Sequence, residues 1–223
     1  MTRRCKYDAI LWDSDGVLVD TERLYFEATR DVMFEAGATL DLETHHEFSL
    51  RQGLGAWHLV EALGYSESEI EAMRERRDRT HETLLARPGL GIPGALEVVR
   101  QLSGTVLMAI VTSAKRMHFR QSHKDTGIVP HLEFVLTRED YGRSKPHPEP
   151  YQLGLSRIGV ERERCLVIED TERGVTAAKA AGLDCWVIDN ALSCHATFAE
   201  ADAVLPSIWD VPRALGIQND LKG

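Results

Sequence analysis

The chain is predicted to be an α/β protein: a parallel sheet with helices on both faces, broken once by a purely helical insertion. Short apolar runs recur at residues 7–12, 106–111, 134–136, 165–168, 185–188 and 203–205. They read as continuous rather than alternating, as expected of strands buried on both faces of a parallel sheet. Helix-length periodic segments separate the later runs, the order that builds a sheet covered by its own crossovers. Residues 21–87 carry no strand pattern and read as helices only.

Taken in order, the first strand ends at Asp13, and helices are expected over residues 22–36, 54–63 and 68–85. Pro88-Gly89 and Pro93-Gly94 punctuate the return to the sheet pattern. Helices follow over residues 94–102, 149–158 and 174–181, the last closed by Gly182. The division is a core of residues 1–20 and 88–223 with a small helical domain of residues 21–87 inserted after the first strand. Glu67, Glu69, Glu71, Arg74, Glu75, Arg76, Arg77, Asp78 and Arg79 mix signs at helical spacing and read as a solvated face. The tail after Trp209 carries no readable pattern.

With 223 residues, 43% hydrophobic and 27% charged, the composition is that of an ordinary globular protein. The net charge of −9 and the lack of a long basic stretch argue against nucleic acid as a partner. Cys5, Cys165, Cys185 and Cys194 form no CxxC pair and read as reduced thiols of a cytoplasmic protein. Thr2-Arg3-Arg4 is basic, but the apolar stretch of residues 9–12 behind it is too short for a signal-peptide core. No stretch approaches the ~18 apolar residues of a membrane span.

Four strand ends are polar in a way that fits together, and ligands of open parallel sheets sit at such ends. In "AILWDSDGVLVD", Asp13 and Asp15 lie two apart and point to one side, and Gly16 allows a sharp turn. Asp15-Gly16 between apolar runs is also a hairpin signal. A calcium loop of the EF-hand kind would need Gly and Glu where this chain has Leu18 and Leu24. A third reading is a magnesium site, where the cation offsets the repulsion of the paired carboxylates and a phosphate supplies further oxygens. Thr112-Ser113 suits a phosphate at a helix N-terminus or a simple N-cap. Within Ser144-Lys145-Pro146-His147-Pro148, the prolines stiffen the loop and leave Lys145 a fixed point charge. Glu169-Asp170-Thr171 starts a helix or adds carboxylates to the same cation. Together these ends supply a nucleophile, an acid/base, cation ligands and charge neutralisation, the parts that phosphoryl transfer needs.

Asp13-x-Asp15-Gly16-Val17-Leu18, Thr112-Ser113, Lys145-Pro146-x-Pro148, and Glu169-Asp170 with Gly174 following resemble the four ordered motifs of the haloacid dehalogenase superfamily. "DGVLVDTE" and "SKPHPEPY" resemble its subgroup with a small helical cap, which includes phosphoglycolate phosphatases, sugar phosphatases and β-phosphoglucomutases. The resemblance covers the whole chain. It implies a Rossmann-like core and a magnesium-dependent phosphatase acting on a small phosphorylated metabolite. Asp13 would form an aspartyl-phosphate, and Asp15 would protonate the leaving oxygen and then activate water. Mg2+ would sit among Asp13, the Asp15 carbonyl and Asp170 with Glu169 nearby, while Thr112 or Ser113 and Lys145 hold the phosphate.

Asp15 argues against dehalogenation, since dehalogenases of this fold lack an acid/base there. Mutases of the subgroup carry a histidine where this chain has Tyr25, and basic residues that bind a second phosphate; Arg51 is the basic residue here that fits that part, beside Gln52, Trp57 and His58. Hydrolysis is therefore expected, with mutase transfer the alternative. Response-regulator receivers share a doubly wound sheet, but their phosphoacceptor follows the third strand, where this chain has Leu136-Thr137, and they lack a helical insertion.

Overall fold

The computed structural model describes residues 5–190 and 196–217. All six apolar runs become strands: β1 (Ala9–Trp12), β2 (Leu107–Val111), β3 (Phe134–Leu136), β4 (Cys165–Glu169), β5 (Asp184–Ile188) and β6 (Ala203–Leu205). They form one parallel sheet in the order β3-β2-β1-β4-β5-β6. The central strand β1 pairs Leu11 with Ala109 of β2 and with Val167 of β4. The strand order runs outward from β1 in one direction to β3 and from β4 in the other to β6, so the ends of β1 and β4 meet at the crevice where doubly wound sheets bind ligands. Side-chain alternation along β1 sends Ile10 and Trp12 into one apolar layer and Ala9 and Leu11 into the other.

Between β1 and β2 come α1 (Glu22–Glu35), α2 (Leu42–His45), a π-helical turn (His46–Arg51), α3 (His58–Glu61) and α4 (Glu67–Leu85). α4 starts at a capping box between Ser66 and Glu69. These elements have their own apolar cluster, centred on Met33, Trp57, Val60 and Ile70. Their two connections to the sheet run side by side: Asp20 N–H donates to Leu90 O at 2.8 Å, and Ile92 N–H to Leu18 O at 3.0 Å.

The core continues through α5 (Ala95–Leu102), α6 (Arg116–Ser122), α7 (Glu149–Ile158), α8 (Glu172–Ala180) and α9 (Val211–Ala214). Three expectations need correction. The helix expected over residues 54–63 is only the short α3, because Gly53 and Gly55 both take positive φ and the chain turns before it can wind. α6 has no apolar periodicity of its own and was not expected. Of the tail beyond Trp209, the described residues 210–217 are structured, with Val211 of α9 and Leu215 just after it buried in the sheet's apolar layer. Cys5, Cys165 and Cys185 are free thiols, whereas Cys194 and Thr2-Arg3-Arg4 lie outside the described residues. Among the described residues no helix is long and apolar enough to cross a membrane.

Candidate functional site

Asp13 extends β1 by one residue, its N–H donating to Ile168 O at 2.8 Å. The chain then folds back on itself: Ser14 O accepts from Leu18 N at 2.8 Å and from Val19 N at 3.1 Å. Gly16 makes this possible with φ of +82°, and a Cβ there would lie 1.9 Å from Asp170 Oδ2. Hence the loop at the end of β1 closes directly onto the residue that follows β4.

Lys145 is buried against that loop. Its ammonium donates to Asp13 Oδ1 at 2.7 Å, Glu169 Oε1 at 2.7 Å and Val111 O at 3.0 Å, which uses all three of its protons. Tyr151, also buried, donates its hydroxyl to Glu169 Oε1 at 2.7 Å. Glu169 Oε2 accepts from Asp170 N, Thr171 N and Thr171 Oγ1 at 3.1, 3.2 and 3.0 Å. Glu169 thus accepts five donors and holds Lys145 in place.

Asp13, Glu169 and Asp170 bring carboxylate oxygens within 4.8 Å of one another. Among the described residues Lys145 is the one cation that ion-pairs with any of them. Burial pushes the Asp13 carboxyl up to about 8, against the pull of Lys145 and with the push of Glu169 and Asp15. Burial, with Asp13 and Glu169, drives Asp170 well above the usual carboxylate range. Asp170 Oδ2 accepts from Asn190 Nδ2 at 2.9 Å, while its buried Oδ1 has no hydrogen-bond partner. An orphaned, buried carboxylate oxygen beside a second carboxylate is the donor set of a hard divalent cation, and magnesium fits it.

Asp15 is held by a separate set of partners. Thr21 Oγ1 donates to its Oδ1, and Thr112 Oγ1 to its Oδ2 at 2.9 Å. Thr112 is fully buried, its proton is engaged by Asp15, and it accepts Ala114 N–H at 3.0 Å. It therefore orients Asp15 rather than meeting a phosphate, a correction to its expected role. Ser113, half-buried, is the one of the two that lines the cavity.

Asp13, Asp15, Ser113 and Lys145 lie at the floor of a cavity of about 550 Å³ roofed by the helical insertion. The roof includes Tyr25, Trp57, Arg74, Arg77, Asp78 and His81. Arg77 is the roof's most constrained cation. Its guanidinium donates to Asp78 Oδ1 at 2.6 Å and to the Tyr25 hydroxyl, and sits 4.5 Å from the Tyr25 ring centre and 5.5 Å from that of Trp57. Burial pushes the His81 imidazolium down, helped by His118, which faces it from α6 with ring centres 5.6 Å apart.

The charge run of residues 67–79 is solvated at Glu67, Glu69, Glu71, Glu75, Arg76 and Arg79, and departs from that reading at Arg77, which is buried. Ile70, Arg77, His81 and Leu85 are the buried residues of α4. The signal was present: those residues follow an i, i+7, i+11, i+15 spacing, so a basic residue and a histidine stand in an apolar stripe. Arg51 is corrected in the opposite sense. It pairs with Glu47 at 2.8 Å and approaches Glu172 at 3.9 Å, and lines a separate groove beside Pro146 and Phe198. Gln52 binds Glu47, and His58 lies tilted against Phe48 with ring centres 4.2 Å apart; of the four insertion residues singled out in the sequence, Trp57 alone lines the cavity.

A family model described as haloacid dehalogenase-like hydrolase matches residues 10–188. The chain is 32% identical over 205 residues to the phosphorylated carbohydrates phosphatase of Thermotoga maritima, covering 88% of this chain and 92% of that one. It is 31% identical to hexitol phosphatase A of Escherichia coli, covering 93% and 94%. The crystal structure of CbbY from Rhodobacter sphaeroides in complex with phosphate superposes with a TM-score of 0.73 at 24% identity, covering 92% and 96% of the two chains, and is a likeness of fold.

Proposed function

The chain belongs to the haloacid dehalogenase-like hydrolases, an enzyme family, and on that premise we propose that it is a magnesium-dependent phosphatase of small phosphorylated carbohydrates, working through an aspartyl-phosphate. The observation that carries this reading is the pairing at the cavity floor. Asp13 is clamped by Lys145, and Asp15, two residues on, is held by two threonine hydroxyls and turned towards the same cavity.

In the first half of the reaction an Asp13 carboxylate oxygen attacks phosphorus, the bond from phosphorus to the leaving oxygen breaks, and Asp15 gives that oxygen its proton. In the second half Asp15 takes a proton from water, whose oxygen attacks the phosphorus of the aspartyl-phosphate, releasing phosphate and restoring Asp13. Thr21 and Thr112 each occupy one lone pair on an Asp15 oxygen, so each oxygen keeps another for the proton. Lys145 and the Ser113 hydroxyl meet the charge of the phosphoryl group. Asp13, the Asp15 carbonyl and Asp170 would hold the magnesium ion, with Glu169 behind them. Bound there, it offsets the crowded carboxylates and draws charge from the phosphoryl oxygens.

Residues 21–87 act as the cap that closes the cavity over a sugar, and residues 1–20 and 88–223 as the core. We place the enzyme in the cytoplasm on the strength of its scattered cysteines. The names of the relatives support a carbohydrate substrate, as do the hydroxyl-binding groups Glu22, Asp78 and His81 of the roof. Tyr25 favours hydrolysis over mutase transfer. Burial raises its phenol, and its oxygen already accepts from Arg77, so no histidine-like base stands there to regulate Asp15.

The test is inorganic phosphate release from a panel of hexose, pentose and hexitol phosphates, with magnesium and with a chelator. Magnesium-dependent release is expected. No release from any ester, or isomerisation of a hexose phosphate faster than its hydrolysis, would overturn the reading.

A further inference from the structure

Behind the floor of the site, on the side away from the cavity, the loop between the two aspartates meets a buried histidine to which the reaction above gives no part. Ser14 and His123 are 1% and 4% exposed, and the Ser14 hydroxyl lies 2.9 Å from His123 Nε2. The neighbours settle who donates. Thr126 Oγ1 gives its single proton to His123 O at 3.1 Å, so at its 3.3 Å contact with His123 Nδ1 the threonine accepts and Nδ1 carries the proton. Nε2 is then the acceptor in a neutral ring, and the Ser14 hydroxyl donates to it.

The ring itself cannot drift. It stacks on Phe119 with centres 4.4 Å apart and planes 27° apart, at the C-terminal end of α6. Thr126 reaches the second connection to the insertion, where its methyl would lie 3.8 Å from a Cβ placed on Gly91. Ser14 O at the same time accepts from the N–H groups of Leu18 and Val19. Ser14 is therefore held through both backbone and side chain, and its flanking residues are the nucleophile and the acid/base.

We propose that His123 is a positioning residue of the phosphatase, which by accepting the Ser14 hydroxyl proton fixes the Asp13-Ser14-Asp15 loop at the spacing the two-step transfer needs. The inference rests on the phosphatase reading. It concerns a pair outside the cavity, neither member of which touches substrate. The reason for expecting an effect is geometric: displacing a reacting group by about 1 Å costs on the order of 10²-fold in rate.

The experiment compares H123Q, H123N, S14A and S14A/H123Q at a temperature and pH where urea titration shows every variant fully folded. Glutamine can present an acceptor at the Nε2 position, whereas asparagine reaches only as far as Nδ1. H123Q is expected to keep kcat within about threefold of the parent, while H123N and S14A lose about tenfold with KM little changed. S14A/H123Q should lose no more than S14A alone, because the contact is already gone. Crystal structures of the parent and H123N give a readout independent of turnover, with Asp13 and Asp15 expected to shift in H123N. H123N and H123Q behaving alike, or an unmoved loop in H123N, would overturn the proposal. If the parent released no phosphate, the functional reading would fail, and the loop displacement would still decide whether His123 positions the two aspartates.

Discussion

Gly174→Ala is expected to damage this protein, although the same change usually helps a helix. Within an ordinary helix, replacing glycine by alanine gains about 0.5–1 kcal/mol. Gly174 is the third residue of α8, and its N–H donates to the capping Thr171 Oγ1 at 3.1 Å. A Cβ there would lie 1.8 Å from both Glu169 Cδ and Oε1. Since ordinary contact needs about 3.5 Å, the carboxylate would have to move by more than 1 Å or so. It has nowhere to go, being fully buried and bound by Lys145, Tyr151, Thr171 and two backbone N–H groups. Overpacking costs about 1–3 kcal/mol, and each hydrogen bond lost from a charged group about 1.5–3 kcal/mol. The clash therefore outweighs the helical gain, with a net loss of about 2 kcal/mol or more and a Tm lower by roughly 4–8 °C.

The catalytic effect should be larger than the stability effect, because Glu169 is what fixes Lys145 beside Asp13. A displacement of about 1 Å there predicts a kcat lower by on the order of 10²-fold in protein that is still folded. The assay is initial-rate phosphate release at saturating magnesium, alongside calorimetry and far-UV circular dichroism of the same preparations. A raised Tm with kcat within a factor of about two of the parent would refute the claim that Gly174 exists to seat Glu169.

Asp13→Asn should abolish both turnover and any phosphoenzyme trapped by acid quench, whereas Asp15→Asn should leave the nucleophile and reduce turnover by roughly 10²–10⁴; undiminished rates in either variant would refute their roles. Arg77→Met, which removes the cation clamped by Tyr25 and Trp57, should raise KM for sugar phosphates by about tenfold or more and leave release from a small aryl phosphate much less affected; equal effects on both esters would mean that Arg77 does not read the sugar. Acid stability should carry the mark of His123, whose imidazolium burial pushes down from the ordinary 6.5 to about 4. The unfolded chain takes up a proton as pH falls through 6.5 that the folded chain refuses until about 4, so this stabilisation is complete above that window and is lost across it. The loss is worth up to about 3 kcal/mol, and urea titrations of H123Q should show a shallower fall over the same range; parallel curves would contradict it.

By itself the sequence determined the sheet, the place of the helices between β1 and β2, and the family. Each of these is local: a continuous apolar run buries both faces of a strand, and the polar residues one to three positions beyond its end have nowhere to point but the crevice. Asp13, Asp15 and Asp170 could be read in that way because strand ends restrict direction, whereas Lys145 comes from the loop between β3 and α7. The tertiary structure decided what depends on a partner brought from elsewhere. Thr112 and Ser113 are adjacent and chemically alike, yet Asp15 claims the first hydroxyl and leaves the second to the cavity. Glu169 stands in the acidic cluster, but that Tyr151 shares its oxygen with Lys145 is visible only in the folded chain. Arg51 and Arg77 show the same dependence on a helix face, because successive helical residues differ by about 100° in direction and a charged residue covers solvent or substrate according to which side is packed. α4 packs so that Arg77 and His81 turn inward to the cavity, while Arg51 turns to Glu47 and the outer groove.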